Sequence, residues 1–253
     1  QVVQSSVLEG IVSLHSEILE QPERLAGLLK TQKGLVEQIA AEIKKRDVSF
    51  VMLAARGTSD NAGRYANYLL GSRNGLALAL ATPSLFTYYQ TPPRMKNALV
   101  VGISQSGQSP DIVSVLAEGR KQGCLTLAVT NAPESPLAKA ADFVLDIRAG
   151  AEKAVAATKT YTTELMALAM LSAALDGSHN AWDELDGVAG WTANVIEQDA
   201  TIAAAAQRYR YMQQCVVLGR GYNYCSAFEW ALKLKELTYV EAEPYSSADF
   251  MHG

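Results

Sequence analysis

A repeated alternation limits most strongly how this chain can fold: an apolar run, a loop bearing Gly or Ser, then a helical pattern. The apolar runs are Phe50–Ala54, Leu76–Ala81, Ala98–Ile103, Leu125–Thr130 and Phe143–Ile147, and helical patterns fill Asn61–Leu70, Pro83–Tyr89, Asp111–Lys121 and Ser135–Ala140. Strands this continuously apolar are expected where both faces are covered, and strands that alternate with helices build parallel sheets. The expected fold class is therefore α/β, a doubly wound parallel sheet flanked by helices.

On either side of this alternation the pattern is helical. From Ser5 to about Arg46 helices are expected, with breaks near Gln21-Pro22 and Lys33-Gly34. Long helices are expected at Thr158–Leu175 and Ala181–Tyr211, and an apolar strand returns at Cys215–Leu218. Val51–Gly57 (VMLAARG) and Val216–Gly221 (VVLGRG) form a weak internal echo, each followed by a helical stretch. A repeat would start a second α/β unit near residue 215 that lacks most of its strands at Gly253, which implies an incomplete chain or a disordered tail. A start at Gln1 rather than Met points to trimming at the front.

The junction Val100–Asp111 (VVGISQSGQSPD) carries the clearest chemical signal. An apolar run ends in hydroxyls, an amide and a glycine, and a helix follows with Ser109 as N-cap and Pro110 at its first position. Such a junction aims backbone N–H groups and the positive end of a helix dipole at one spot, which favours an anion such as phosphate. Ser104, Ser106 and Ser109 add donors, and Gly107 lets the backbone approach. An ordinary strand–turn–helix connection has the same composition. Arg56-Gly57-Thr58-Ser59-Asp60 repeats the logic, and two such loops at the carboxyl ends of parallel strands suit a polyhydroxylated phosphate ester. A nucleotide is disfavoured, because no P-loop Gly-Lys-Ser/Thr occurs and Gly219-Arg220-Gly221 has Tyr224 in place of a third glycine.

With 253 residues, 49% of them hydrophobic, the chain can bury one large core or two smaller ones. A net charge of −4 argues against nucleic acid as a partner. No apolar run is long enough to cross a bilayer and no leader pattern opens the chain, so a cytoplasmic protein without membrane partners is expected. Cys124, Cys215 and Cys225 read as free thiols in a reducing compartment. His15, His179 and His252 are scattered, with no Cys/His pair at metal-site spacing, and neither a metal nor another cofactor is expected.

Glu229, Lys233, Lys235 and Glu236 lie on one expected helix. Such pairs commonly form a solvated face. The functional reading makes Glu236 a carboxylate base at the sheet crevice and His252 the acid that opens a sugar ring. Ala154–Lys159 (AVAATK) reads as a small-residue loop entering a long helix, allowing close backbone approach to a ligand or tight packing.

Taken together, HSEILEQP (15–22), RGTSDNAG (56–63), ISQSGQSPD (103–111), the stretch 149–163 and LGRG, ALKLKE, AEPYSSADF and HG in order over 218–253 resemble the sugar isomerase (SIS) domain family. The resemblance is to the isomerase half of glutamine–fructose-6-phosphate amidotransferases and to stand-alone amino-sugar-phosphate relatives. It implies that Ser104, Gln105, Ser106 and Ser109 hold a sugar 6-phosphate, that Ser59 and the backbone of Val155 and Ala156 contact the sugar, and that Glu236 moves a proton between C1 and C2 beside Lys233. It further implies a homodimer in which His252 reaches the neighbouring subunit's site. Arg56 stands where the amidotransferases carry cysteine, and Gln108-Ser109 where they carry Glu-Thr; both features look more like stand-alone deaminases. A protein without a preceding glutaminase unit is expected, and the 253 residues do not include the family's C-terminal lysine tail. The expected organisation is an N-terminal helical segment (1–47), a first SIS domain (48–178), a linking helix (179–212) and the start of a second SIS domain (213–253). The expected function is deamination of glucosamine 6-phosphate to fructose 6-phosphate and ammonia. The alternatives are the isomerase domain of an aminotransferase and a non-catalytic phosphosugar sensor.

Overall fold

A computed structural model describes residues 14–252. Strands β1 (Phe50–Ala54), β2 (Ala77–Leu80), β3 (Ala98–Ile103), β4 (Leu125–Thr130) and β5 (Phe143–Asp146) form one sheet in the order β2-β1-β3-β4-β5. All neighbouring strands are parallel. The order reverses between β1 and β3, so a crevice opens at the carboxyl ends of these two strands.

Side-chain alternation along β3 explains why helices must cover both faces. Leu99, Val101 and Ile103 enter a core with helices α1 (Gln21–Lys45), α2 (Thr58–Asn74) and α6 (Lys159–Asp176). Ala98 and Val100 enter a second core on the opposite face, with α4 (Pro110–Lys121) and α5 (Pro136–Ala140); a one-turn helix α3 (Ser84–Thr87) precedes β3. A Cβ on Gly102 would come within 2.6 Å of Leu116 and 2.9 Å of Leu137, so the glycine is what lets α4 and α5 seat against β3.

The expected break at Lys33-Gly34 is absent: α1 runs unbroken through both residues. Leu25 and Leu28 before the glycine and Val36, Ile39 and Ile43 after it are all buried, and that packing outweighs the roughly 1 kcal/mol a helical glycine costs. The expected single helix over 181–211 is instead α7 (His179–Ile196), α8 (Asp199–Ala206) and a 3₁₀ turn (Gln207–Tyr209). The N–H of Gln198 bonds the carbonyl of Val195, which tightens the last turn of α7 before the axis restarts at the acidic Asp199. The expected helical reading before residue 14 lies outside the described residues.

The internal echo is structural. Strand β6 (Gln214–Leu218), helix α9 (Tyr222–Thr238) and strand β7 (Glu241–Tyr245) repeat the β1–α2–β2 order, again as a parallel pair. Both helices are 17 residues long and both start at a glycine of nearly the same conformation: Gly57 at φ 56°, ψ −128° and Gly221 at φ 62°, ψ −132°. Side chains rarely adopt that conformation, so Arg-Gly at both junctions answers one backbone requirement. A short helix, α10 (Ser247–Phe250), follows β7. Among the described residues no helix is long and apolar enough to cross a membrane.

Candidate active site

The serine-rich loop after β3 is pinned from beneath. Gln105 O accepts from Asn131 N at 3.1 Å and from Thr130 Oγ1 at 3.2 Å, and the N–H of Leu137 donates to Gly107 O at 3.1 Å. Gly107, at φ 61°, sits so close to Ser135 that a Cβ would lie 2.0 Å from its Oγ. Ser104 Oγ accepts from the N–H of Gly107 at 3.1 Å and Ser106 Oγ from that of Gln108 at 3.4 Å. Those two amides are spent inside the loop, so of the backbone N–H groups expected to face a ligand these two do not. The hydroxyl protons of Ser104 and Ser106 remain to be donated. Ser109 occupies the N-cap position as expected, but its side chain makes no cap hydrogen bond. Gln105 and Ser106 are exposed.

The loop after β1 joins α9. Glu229 is buried, 6% exposed, and its carboxylate accepts from Thr58 Oγ1 at 2.9 Å and Asn61 Nδ2 at 2.8 Å. Lys233 Nζ lies 3.3 Å from Glu229, donates to Thr58 Oγ1 at 3.1 Å and meets Glu236 Oε2 at 2.6 Å. Lys233 and Glu236 are thus brought to the mouth of the first loop, next to Ser59. The heptad spacing of Glu229 and Glu236 does not make both a solvated face, because Glu229 is an internal hub. His252 is exposed, its backbone N–H bonded to Asp249 O, and the structure does not join its ring to the Lys233–Glu236 pair.

Ser59 is buried and donates to Glu164 Oε1 at 2.8 Å. Glu164 Oε2 has no hydrogen-bond partner among the described residues. Burial, opposed by the Ser59 hydrogen bond and aided by the charges of Glu152 and Glu229, pushes the Glu164 carboxyl up to about 8. Near neutrality Glu164 is therefore a carboxylic acid. The folded state holds this proton between about 4.5 and about 8, where the unfolded chain has lost it, so the group lowers stability progressively as pH rises through that window. Glu164→Gln keeps an acceptor for Ser59 and should flatten this decline in urea melts from pH 5 to 8; an unchanged slope would assign the decline to other groups.

The loop preceding α6 is held by the segment before α1. Glu17 accepts from the N–H of Lys153 at 2.5 Å and of Ala154 at 3.2 Å, and Glu20 meets Lys159 Nζ at 2.9 Å. Asn131 bonds the backbone of Ala149 and Gly150. Glu152 caps α6 through the N–H groups of Thr158 and Thr160. Between these anchors Val155 is 94% exposed, whereas Ala156 is buried. Both were expected to offer backbone to a sugar; Val155 stands at the surface and Ala156 packs inward. A groove lined by Tyr65, Arg73, Glu184 and Tyr222 contains none of these loop residues.

Residues 46–174 match the SIS domain. The chain belongs to the SIS domain family. Among SIS relatives, the glutamine–fructose-6-phosphate aminotransferase (isomerizing) of Thermus thermophilus is 34% identical over 250 residues, covering 94% of this chain and 41% of the relative. The chain thus spans about two fifths of the length of the curated relatives it matches. A candidate phosphosugar isomerase from Silicibacter pomeroyi superposes with a TM-score of 0.87 at 36% identity, covering 95% of this chain and 73% of that one. The C-terminal domain of the Francisella tularensis glucosamine-fructose-6-phosphate aminotransferase gives 0.83 at 29% identity, covering 94% and 70%. The SIS assignment and the α/β sheet agree with the sequence expectation. The pairing of Thr58 and Asn61 with Glu229, and of Ser59 with Glu164, was not anticipated, since partners 105 to 171 residues apart leave no local pattern.

Proposed function

We propose that this chain moves a proton between C1 and C2 of an amino-sugar 6-phosphate, as the isomerase unit of a protein of the glutamine–fructose-6-phosphate aminotransferase kind. The observation that carries this reading is the Lys233–Glu236 pair at 2.6 Å, with Lys233 also held by Thr58 at the switch-point loop. The 6-phosphate would sit on the hydroxyls of Ser104, Ser106 and Ser109 beside Gln105, and the sugar against Ser59 and the backbone of Val155 and Ala156. His252, supplied by a second subunit, would move a proton between the ring oxygen and the anomeric hydroxyl. In the open chain the Glu236 carboxylate would take the proton from one carbon and return it to its neighbour, with Lys233 beside the changing oxygen. We place β6–α9–β7 at the opening of a second SIS unit, and the protein in the cytoplasm.

The stand-alone deaminase uses the same proton transfer and then hydrolyses the imine, and it was the reading preferred from Arg56 and the QSGQSP loop. The identity with aminotransferases supports the isomerase unit over it. A non-catalytic sensor is less well supported, because it needs neither Glu236 nor Lys233. Two incubations test the reading: fructose 6-phosphate alone, and glucosamine 6-phosphate without glutamine. Glucose 6-phosphate from the first without ammonia from the second is expected; equimolar ammonia and fructose 6-phosphate would reassign the chain to deamination.

A further inference from the structure

Arg56 has no role in the reaction set out above, yet its place in the sheet gives it one. The β1–β3 register ends with Ala54 opposite Gly102, and Arg56 follows two residues after the one as Ser104, the first hydroxyl of the serine-rich loop, follows two residues after the other. Its Nη2 meets Asp111 Oδ2 at 2.6 Å, and Asp111 lies in the first turn of α4, two residues after Ser109. The guanidinium therefore bridges the two loops of the switch-point crevice, and its exposed side chain leaves further N–H donors facing solvent.

The charge balance there needs such a group. The serine-rich loop offers only neutral donors, and the Asp111 carboxylate in the same first turn would repel a bound phosphate dianion. We infer that Arg56 is a phosphate-binding residue: Asp111 orients its guanidinium, whose charge offsets Asp111 and whose remaining N–H groups meet the substrate's phosphate. The inference rests on the phosphosugar reading above and adds to it the cation of the phosphate site. As a purely structural link, an exposed pair of this kind would contribute little.

Calorimetric binding of glucosamine 6-phosphate to the full chain tests this with three variants. Arg56→Ala should weaken affinity roughly 10- to 100-fold, the loss of a charge-assisted contact, with Arg56→Lys in between. Asp111→Asn keeps an acceptor for the guanidinium and removes the repelling charge, so its affinity should equal or exceed that of the unaltered protein. Ser106→Ala reports on the serine loop independently. Arg56→Ala binding within twofold of the unaltered protein, or Arg56→Ala and Asp111→Asn weakening alike, would overturn the inference. If Ser106→Ala still weakens binding in that case, the phosphosugar reading survives; if the unaltered protein binds no phosphosugar, both fall.

Discussion

Glu236→Gln is expected to lower turnover by about 10²–10⁴-fold, the usual contribution of a positioned general base. The amide matches the carboxylate in shape and retains an acceptor for Lys233, whose other partners Thr58 and Glu229 are untouched. Affinity for the phosphosugar should therefore stay within about twofold, since an interaction made only in the transition state appears in turnover rather than in binding. Glu229 is the rival carboxylate, but both its oxygens are engaged, by Thr58 and Asn61, and it is buried. Near-normal turnover in Glu236→Gln, with turnover lost in Glu229→Gln, would transfer the base to Glu229.

Glu20→Ala is expected to cost about 3 kcal/mol, the lower end for breaking a buried ion pair because Glu20 itself is partly exposed. Lys159 is 1% exposed, and Glu20 is the acidic partner its ammonium meets. The hydrogen bond from Lys159, then that from Arg24, holds the Glu20 carboxyl below its usual range. Lys159 is also the first residue of α6, so the pair ties the loop containing Val155 and Ala156 to the N-terminal segment. Urea unfolding of Glu20→Ala, Lys159→Met and the double variant forms a cycle. The double variant should recover much of the loss, because no ammonium is then left buried alone. Additive single effects would mean that the two groups stabilise the fold independently.

The sheet was legible in the sequence because its strands read as uninterrupted apolar runs, buried throughout at β3 and β4, although at the edge strand β2 Ala77 and Ala79 are exposed. The serine-rich loop was legible because its chemistry is contiguous. The direction of its hydrogen bonds was not, since only the fold shows that Gly107 and Gln108 turn their N–H groups onto Ser104 and Ser106. Glu17, Glu20, Glu164 and Glu229 stayed hidden for a different reason. Each is a carboxylate on a helical stretch, and sequence alone cannot tell one paired across 105 to 171 residues from one facing water. The segment HSEILEQP belonged to the family resemblance without a role; the structure gives its two glutamates the loop before α6 to hold. The break expected near Gln21-Pro22 is present, as a turn at Glu20 before α1, whereas the one at Lys33-Gly34 was misjudged because packing there outweighs local propensity.

The most direct test of the account is carbon-bound proton exchange in fructose 6-phosphate incubated with the protein in D₂O and followed by NMR. Deuterium entering C1, and C2 of any aldose formed, is predicted for the unaltered protein and should vanish in Glu236→Gln. Tight phosphosugar binding with no exchange at either carbon would contradict the isomerase account and leave a binding protein in its place.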